Sequence, residues 1–172
     1  VRILPFCEGQ SLYDAFNFNE PWDSEHNLSV AETVPYGLSC PSDKYPEPDV
    51  KMINGHGIPL TNYVMITGPG TVGTPDGKPL TLNDVKDGTG QTLMIVEVFG
   101  ENRPAWTEPV DITLDSLMRG VNAEVGMSIG SQHQGGANIG LCDGSTHFLS
   151  EEIEIDLRRL GRINDGKIVD WD

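Results

Sequence analysis

"HQGGANIGLCDGSTHFLS", residues 133–150, sets nine residues between His133 and the pair Asp143-Gly144, with a second histidine, His147, just beyond. A two-residue type I′ turn needs positive φ at both positions, which Asp tolerates and Gly favours, so Asp143-Gly144 reads as the tip of a β-hairpin. In that register Cys142 faces Ser145, Leu141 faces Thr146, Gly140 faces His147 and Ile139 faces Phe148. The period of two then puts Ile139, Leu141, Thr146 and Phe148 on one apolar face, suited to packing against the strand expected at 91–99. His147 falls on the other face beside Gly140. His133 stands ahead of the hairpin, and Gly135 and Gly136 let the chain bend so that it reaches a loop carbonyl or carboxylate. It reads first as a structural hydrogen-bonding residue, with metal ligation and catalysis as the alternatives.

Working outward, "QTLMIVEVF" at 91–99 is the strongest strand signal, and Tyr63–Thr67 in "LTNYVMITGPG" is a second β-rich stretch bounded by Gly and Pro. Both read as central strands. The loop between them predicts a tight turn at 75–77 and a helical turn after Thr81. Leu12, Ala15 and Phe16 share the spacing of one helical face, which predicts a short helix over 8–16. The Pro-, Asp- and Ser-rich segment that follows predicts a helical turn at 28–32 and a short strand at 36–39. A helical turn is expected at 115–119, with Leu114, Leu117 and Met118 on one face. After the hairpin, Ser150 as N-cap, early acids, late arginines and Gly161 as C-cap predict a helix over 151–160, followed by an Asp-Gly turn at Asp165 and Gly166.

The fold class expected is therefore α+β: a central antiparallel sheet, the C-terminal Asp-Gly hairpin and short helices. At 172 residues the chain fits one domain. Its parts are a helix and Pro-rich loop region over 1–50, central strands over 60–100, the hairpin over 133–150 and a helix and tail over 151–172. Eleven Lys and Arg against 26 Asp and Glu give a net charge of −15, so nucleic acid is a poor partner, its phosphates being repelled, and no nucleic acid is expected, while cations are favoured. The 20 Gly and 12 Pro explain why turns outnumber long helices. No apolar run is long enough to span a membrane. The start at Val1 reads as the middle of something, from which an upstream segment has been removed.

Cys7, Cys40 and Cys142 are too widely spaced for a Cys-x-x-Cys zinc site. In an exported protein Cys7 would pair with Cys40, leaving Cys142 beside the turn; three reduced thiols are the alternative. "GMSIG" at 126–130 matches the G-x-S-x-G nucleophile elbow, with Asp143 and His147 following Ser128 in hydrolase order. The elbow needs a helix after the serine, and "SQHQGG" is not helical. A serine hydrolase is thus the weakest function class. "GPGTVG" at 68–73 fits G-x-G-x-x-G but has no helix to follow it, so it reads as a turn. "DITLD", "NDVKDG" and "INDGKIVDWD" supply carboxylates suited to a structural calcium, without EF-hand spacing. A solvated acidic face is the first reading of them, and calcium the alternative.

The order of these motifs resembles a prepilin-like family of unknown function, abundant in planctomycete bacteria, whose C-terminal signature is H-x9-DG. Here that signature is His133 with Asp143 and Gly144, and Gly135, Gly136 and Asn138 stand at the expected places. "ILPFCEGQSLYDAFNFNEPWD", "LSCPSD", "NYVMITGPGT", "DVKDGTGQTLMIVEV" and "AWTEPVDI" follow the family's blocks in order, so the resemblance spans nearly the whole chain. It implies a type IV pilin-like or pseudopilin-like protein: a cleaved leader and an apolar anchor helix, both absent from this chain, then an extracytoplasmic head. Partners would be other pilin-like subunits or a secretion or pilus apparatus. Pseudopilins can carry a structural calcium. Cys142 and Cys7 replace a small apolar and an aliphatic residue of the family, so no disulfide carries over. The family's own cysteine lies upstream of Val1, where it could take Cys40 as partner.

The function expected is non-enzymatic assembly or surface display, with Glu97, Trp106, Thr107 and Pro109 as candidates for one buried polar cluster with the signature. A different class, a binding module for a small solute or glycan, would show an exposed aromatic platform from Trp22, Trp106 or Tyr36.

Overall fold

The computed structural model describes residues 1–43, 49–74, 78–123, 126–167 and 169. The 172-residue span is organised as two compact units, one of Val1–Asn62 with Arg103–Val110 and one of Tyr63–Asn102 with Asp111–Asp172. Both mix short helices with antiparallel strands, so the fold class is α+β as expected. No helix among the described residues is long and apolar enough to cross a membrane.

The first unit opens with a 3-10 turn, Leu4–Phe6, followed by α1 (Gln10–Ala15) and α2 (Glu25–Ala31). Ser24 caps α2 by accepting the Asn27 N–H. The Asn27 side chain is fully buried and ties three backbone groups together: it accepts the Asn17 N–H and donates to the Asn17 and Pro21 carbonyls. Strands β1 (Val50–Ile53) and β2 (His56–Pro59) form a hairpin that the sequence reading omits. Its turn, Asn54-Gly55, has φ of 50° and 91°, the two positive values that a type I′ turn demands. Leu4, Leu28, Ala31, Ile58, Ala105 and Trp106 form this unit's core. The buried Arg103 guanidinium donates to the carboxylates of Asp43, at 2.7 Å, and Asp49. The strand expected at 36–39 is instead a turn, because Gly37 takes φ +88° and the Leu38 carbonyl is claimed by the Asn62 N–H and Thr61 hydroxyl.

The second unit carries β3 (Tyr63–Thr67), β4 (Leu93–Glu97), β5 (Ile112–Thr113), β6 (Gly136–Leu141) and β7 (Thr146–Ser150) in the order β5-β3-β4-β6-β7. All pairs are antiparallel except β3 with β5. Val64, Ile66, Val96, Ala137, Ile139, Leu141 and Leu149 turn one face into the core, where Leu114, Leu117, Leu157 and Leu160 cover it. The expected helical turns appear as 3-10 segments at Leu82–Asp84 and Leu114–Arg119; Leu114 and Leu117 are buried, while Met118 is exposed. The turn expected at 75–77 lies outside the described residues.

Two expectations in this unit are corrected. Gly140 pairs with Thr146 and Ile139 with His147, one residue out of the expected register. Only Gly144, at φ +87°, takes positive φ at the tip, and the Leu141 N–H bonds the Ser145 carbonyl around a three-residue loop, Cys142-Asp143-Gly144. A shift of one exchanges the faces, so Phe148 points outward and Leu149 inward. The hairpin does meet the strand at 91–99, with β6 paired antiparallel beside β4 in the sheet. The helix expected over 151–160 shrinks to α3 (Arg158–Gly161). Ile153, Ile155 and Leu157 alternate with polar residues and pack on the core, so a period of two wins over the helical caps. Gly161 ends inside α3, where a Cβ would meet Leu114 Cδ1 at 2.7 Å; close packing, not capping, requires glycine there.

Candidate functional site

The hairpin signature is built around Glu97 at the end of β4, whose side chain is 2% exposed. The Glu97 carbonyl accepts the Gly130 N–H. Its carboxyl Oε2 accepts the Asn138 backbone N–H at 2.6 Å and the Asn138 amide at 3.1 Å. The side chain thus carries the β4–β6 pairing one residue beyond its last backbone pair, Val96 with Ile139. Oε1 lies 3.5 Å from His133 Nε2, and the Tyr63 hydroxyl donates to it at 3.4 Å. The Ser131 hydroxyl donates to the Gly136 carbonyl and accepts the His133 N–H, which fixes the bend leading to the histidine. Gly135 has φ +82°, and at Gly136 a Cβ would stand 2.1 Å from the Leu149 carbonyl oxygen, so the bend requires both glycines.

Asp143 and Gly144 occupy the tip of the hairpin. Asp143 Oδ1 accepts the Ser145 N–H at 2.9 Å and the Ser145 hydroxyl at 2.6 Å, and these bonds hold the carboxyl below the usual carboxylate range. The Asp143 and Cys142 N–H groups donate to the Thr89 and Thr92 carbonyls. Burial first, then the Asp143 charge, pushes the Cys142 thiol up to about 11, which keeps it protonated and unreactive near neutrality.

The structure therefore brings His133, Asn138 and Glu97 together, and sets Asp143 and Gly144 at the turn. Tyr63 and Ser131 join the cluster without having been singled out as site residues in sequence; Tyr63 reads there only as a strand residue. Trp106 has a partner within the first unit, the Ala31 carbonyl at 2.7 Å from its indole nitrogen. Thr107 is buried, and its hydroxyl has no hydrogen-bond partner among the described residues. Among the described residues no disulfide joins Cys7, Cys40 and Cys142; Cys7 is exposed while Cys40 and Cys142 are buried.

Several of the carboxylates considered for calcium accept hydrogen bonds from the backbone, and Asp170 and Asp172 lie outside the described residues. Asp111 accepts the Met65 N–H, Asp84 accepts the Thr81 N–H and hydroxyl, and Asp87 accepts the Asp165 and Gly166 N–H groups at 2.6 and 2.8 Å. Asp87 thereby ties "NDVKDG" to the Asp165-Gly166 turn through hydrogen bonds. Ser128 is buried, and bends and turns follow it where a nucleophile elbow needs a helix. A cavity of about 440 Å³ opens beside it, with Phe99, Asn102 and Asn122 in its wall.

A family model described as "Protein of unknown function (DUF1559)" matches residues 1–113 and 100–156, and the chain belongs to that family. No curated protein and no solved structure matches it.

Proposed function

We propose that this chain is the extracytoplasmic head of a pilin-like or pseudopilin-like subunit, which acts in surface assembly, a filament or a secretion apparatus and not in catalysis. The observation that supports this reading is how the signature's polar groups are used. Glu97, Asn138 and Asp143 all accept or donate to groups of the hairpin and its neighbouring strand, so the motif works as a scaffold that stabilises one exposed sheet edge. In the full-length protein an N-terminal membrane helix would anchor the head, and its partners would be similar subunits or the apparatus that moves them. The test is to express the full-length protein with a prepilin peptidase in a bacterial host, sequence its N-terminus and add protease to intact spheroplasts. A cleaved leader and a digestible head are expected; an uncleaved chain protected from the protease would sink the reading.

A second reading, a module that binds a small solute or glycan, is favoured by the cavity beside Ser128, whose volume suits a small ligand. Of the aromatic residues expected to form its platform, Trp106 is buried and Trp22 packs on the first core. Tyr36 stands exposed at 94%.

A further inference from the structure

The chain's charge of −15 argues against any phosphate ligand, yet four of its 11 basic residues gather around one basin in the second unit. Arg158, Arg159, Arg162 and Lys167 line a depression of about 340 Å³ together with only two acids, Asp156 and Asp165. Arg158 is spent on Asp156, with Nε and Nη2 each 2.8 Å from a carboxylate oxygen. Asp165 is turned to its own loop, where it accepts the Lys167 N–H. Arg159, Arg162 and Lys167 have no ion-pair or hydrogen-bond partner for their side chains among the described residues. At physiological salt a charge is screened within about 8 Å, so a ligand in the basin responds to these cations and not to the distant acids.

The backbone that carries them is anchored on its inner side. Leu157, Leu160 and Gly161 are buried against the core, which points the intervening polar positions outward. The Ile163 N–H donates to the Gly70 carbonyl, and the Ile163 carbonyl accepts from Lys86 and Asp87. The Asp87 carboxylate then fixes the Asp165-Gly166 turn just ahead of Lys167. Cations held on such a frame lose less entropy on binding than cations on a free loop. Two guanidinium groups and an ammonium around a concave polar surface suit the several acceptor oxygens of a phosphate group.

We propose that the Arg159, Arg162 and Lys167 basin binds a phosphate group, free or as the headgroup of an anionic lipid. This inference is independent of the assembly reading. The experiment is a backbone NMR titration of the 172-residue chain with inorganic phosphate and with pyrophosphate, against chloride at matched ionic strength. It is paired with sedimentation on phosphatidylglycerol and phosphatidylcholine vesicles. Shifts centred on 158–167 are expected, and R159Q/R162Q should weaken binding by about tenfold or more, since two guanidinium donors to the phosphate are lost. K86Q, a charge removed outside the basin, should leave it unchanged. Binding to soluble phosphates identifies a free phosphate; binding to phosphatidylglycerol vesicles alone identifies a lipid headgroup. The proposal is overturned if neither probe binds, if R159Q/R162Q binds as the parent does, or if K86Q loses as much as the double variant.

Discussion

Glu97 Oε2 receives both the backbone N–H and the side-chain amide of Asn138, at 2.6 and 3.1 Å, in place of the carbonyl that a continued ladder would supply. The substitution is needed because the Glu97 carbonyl is already engaged by Gly130. A buried carboxyl thus completes the pairing of β4 with β6 and brings His133 to its other oxygen.

Glu97→Ala removes that acceptor and leaves the part-buried Asn138 N–H without its partner, so it should cost about 1–3 kcal/mol. Glu97→Gln keeps one acceptor oxygen and should cost less. Urea unfolding of the two variants measures both, and a Glu97→Ala loss below about 0.5 kcal/mol would remove the carboxyl from the pairing.

Register predicts opposite responses at two neighbouring positions. Leu149 is 1% exposed and Phe148 52% exposed. Leu149→Ala should cost about 2–5 kcal/mol, whereas Phe148→Thr should change stability by about 0.5 kcal/mol or less. The reverse order in denaturant melts would restore the two-residue turn and its register.

The two glycines of the bend should differ as well. Gly135→Ala meets no atom within 4 Å and suffers only the positive φ, about 1 kcal/mol. Gly136→Ala drives a Cβ to 2.1 Å from the Leu149 carbonyl oxygen, so the strands must separate. Hydrogen exchange should show β6 and β7 losing protection in Gly136→Ala alone; equal protection in both variants contradicts the close approach.

His56 links β2 to two acids of the same unit, with Nδ1 2.8 Å from Glu32 and Nε2 3.3 Å from Glu25. The Glu32 hydrogen bond, and then Glu25, raise its pKa against a smaller opposing effect of burial. A histidine that binds its proton more tightly when folded stabilises the fold fully below its unfolded pKa, about 6.5. That contribution is lost as pH rises through the higher folded value. The stability gap between the parent and His56→Gln should therefore narrow from mildly acidic to alkaline pH; a gap that widens contradicts the pairing.

Much of the candidate site was legible in residues 133–150, since His133, Asn138, Asp143 and the glycines occupy fixed places relative to a turn. Glu97 was legible only as an acid in an apolar strand. Its partners could not be read, because Asn138 lies 41 residues away and Tyr63 lies 34 away. The hairpin at Asn54-Gly55 is legible from that dipeptide alone, since both positions take the positive φ that Asn and Gly tolerate.

The sequence by itself determined the α+β class, the strands at Tyr63–Thr67 and Leu93–Glu97, and the presence of a hairpin at Asp143-Gly144, because alternation and turn preference act between residues a few positions apart. Tertiary structure alone decided which of Phe148 and Leu149 is buried, why 151–157 is not helical, and where the cations gather. Each of those outcomes depends on which distant surface a segment meets, and a one-residue shift or an alternating burial pattern is settled by the core that receives it.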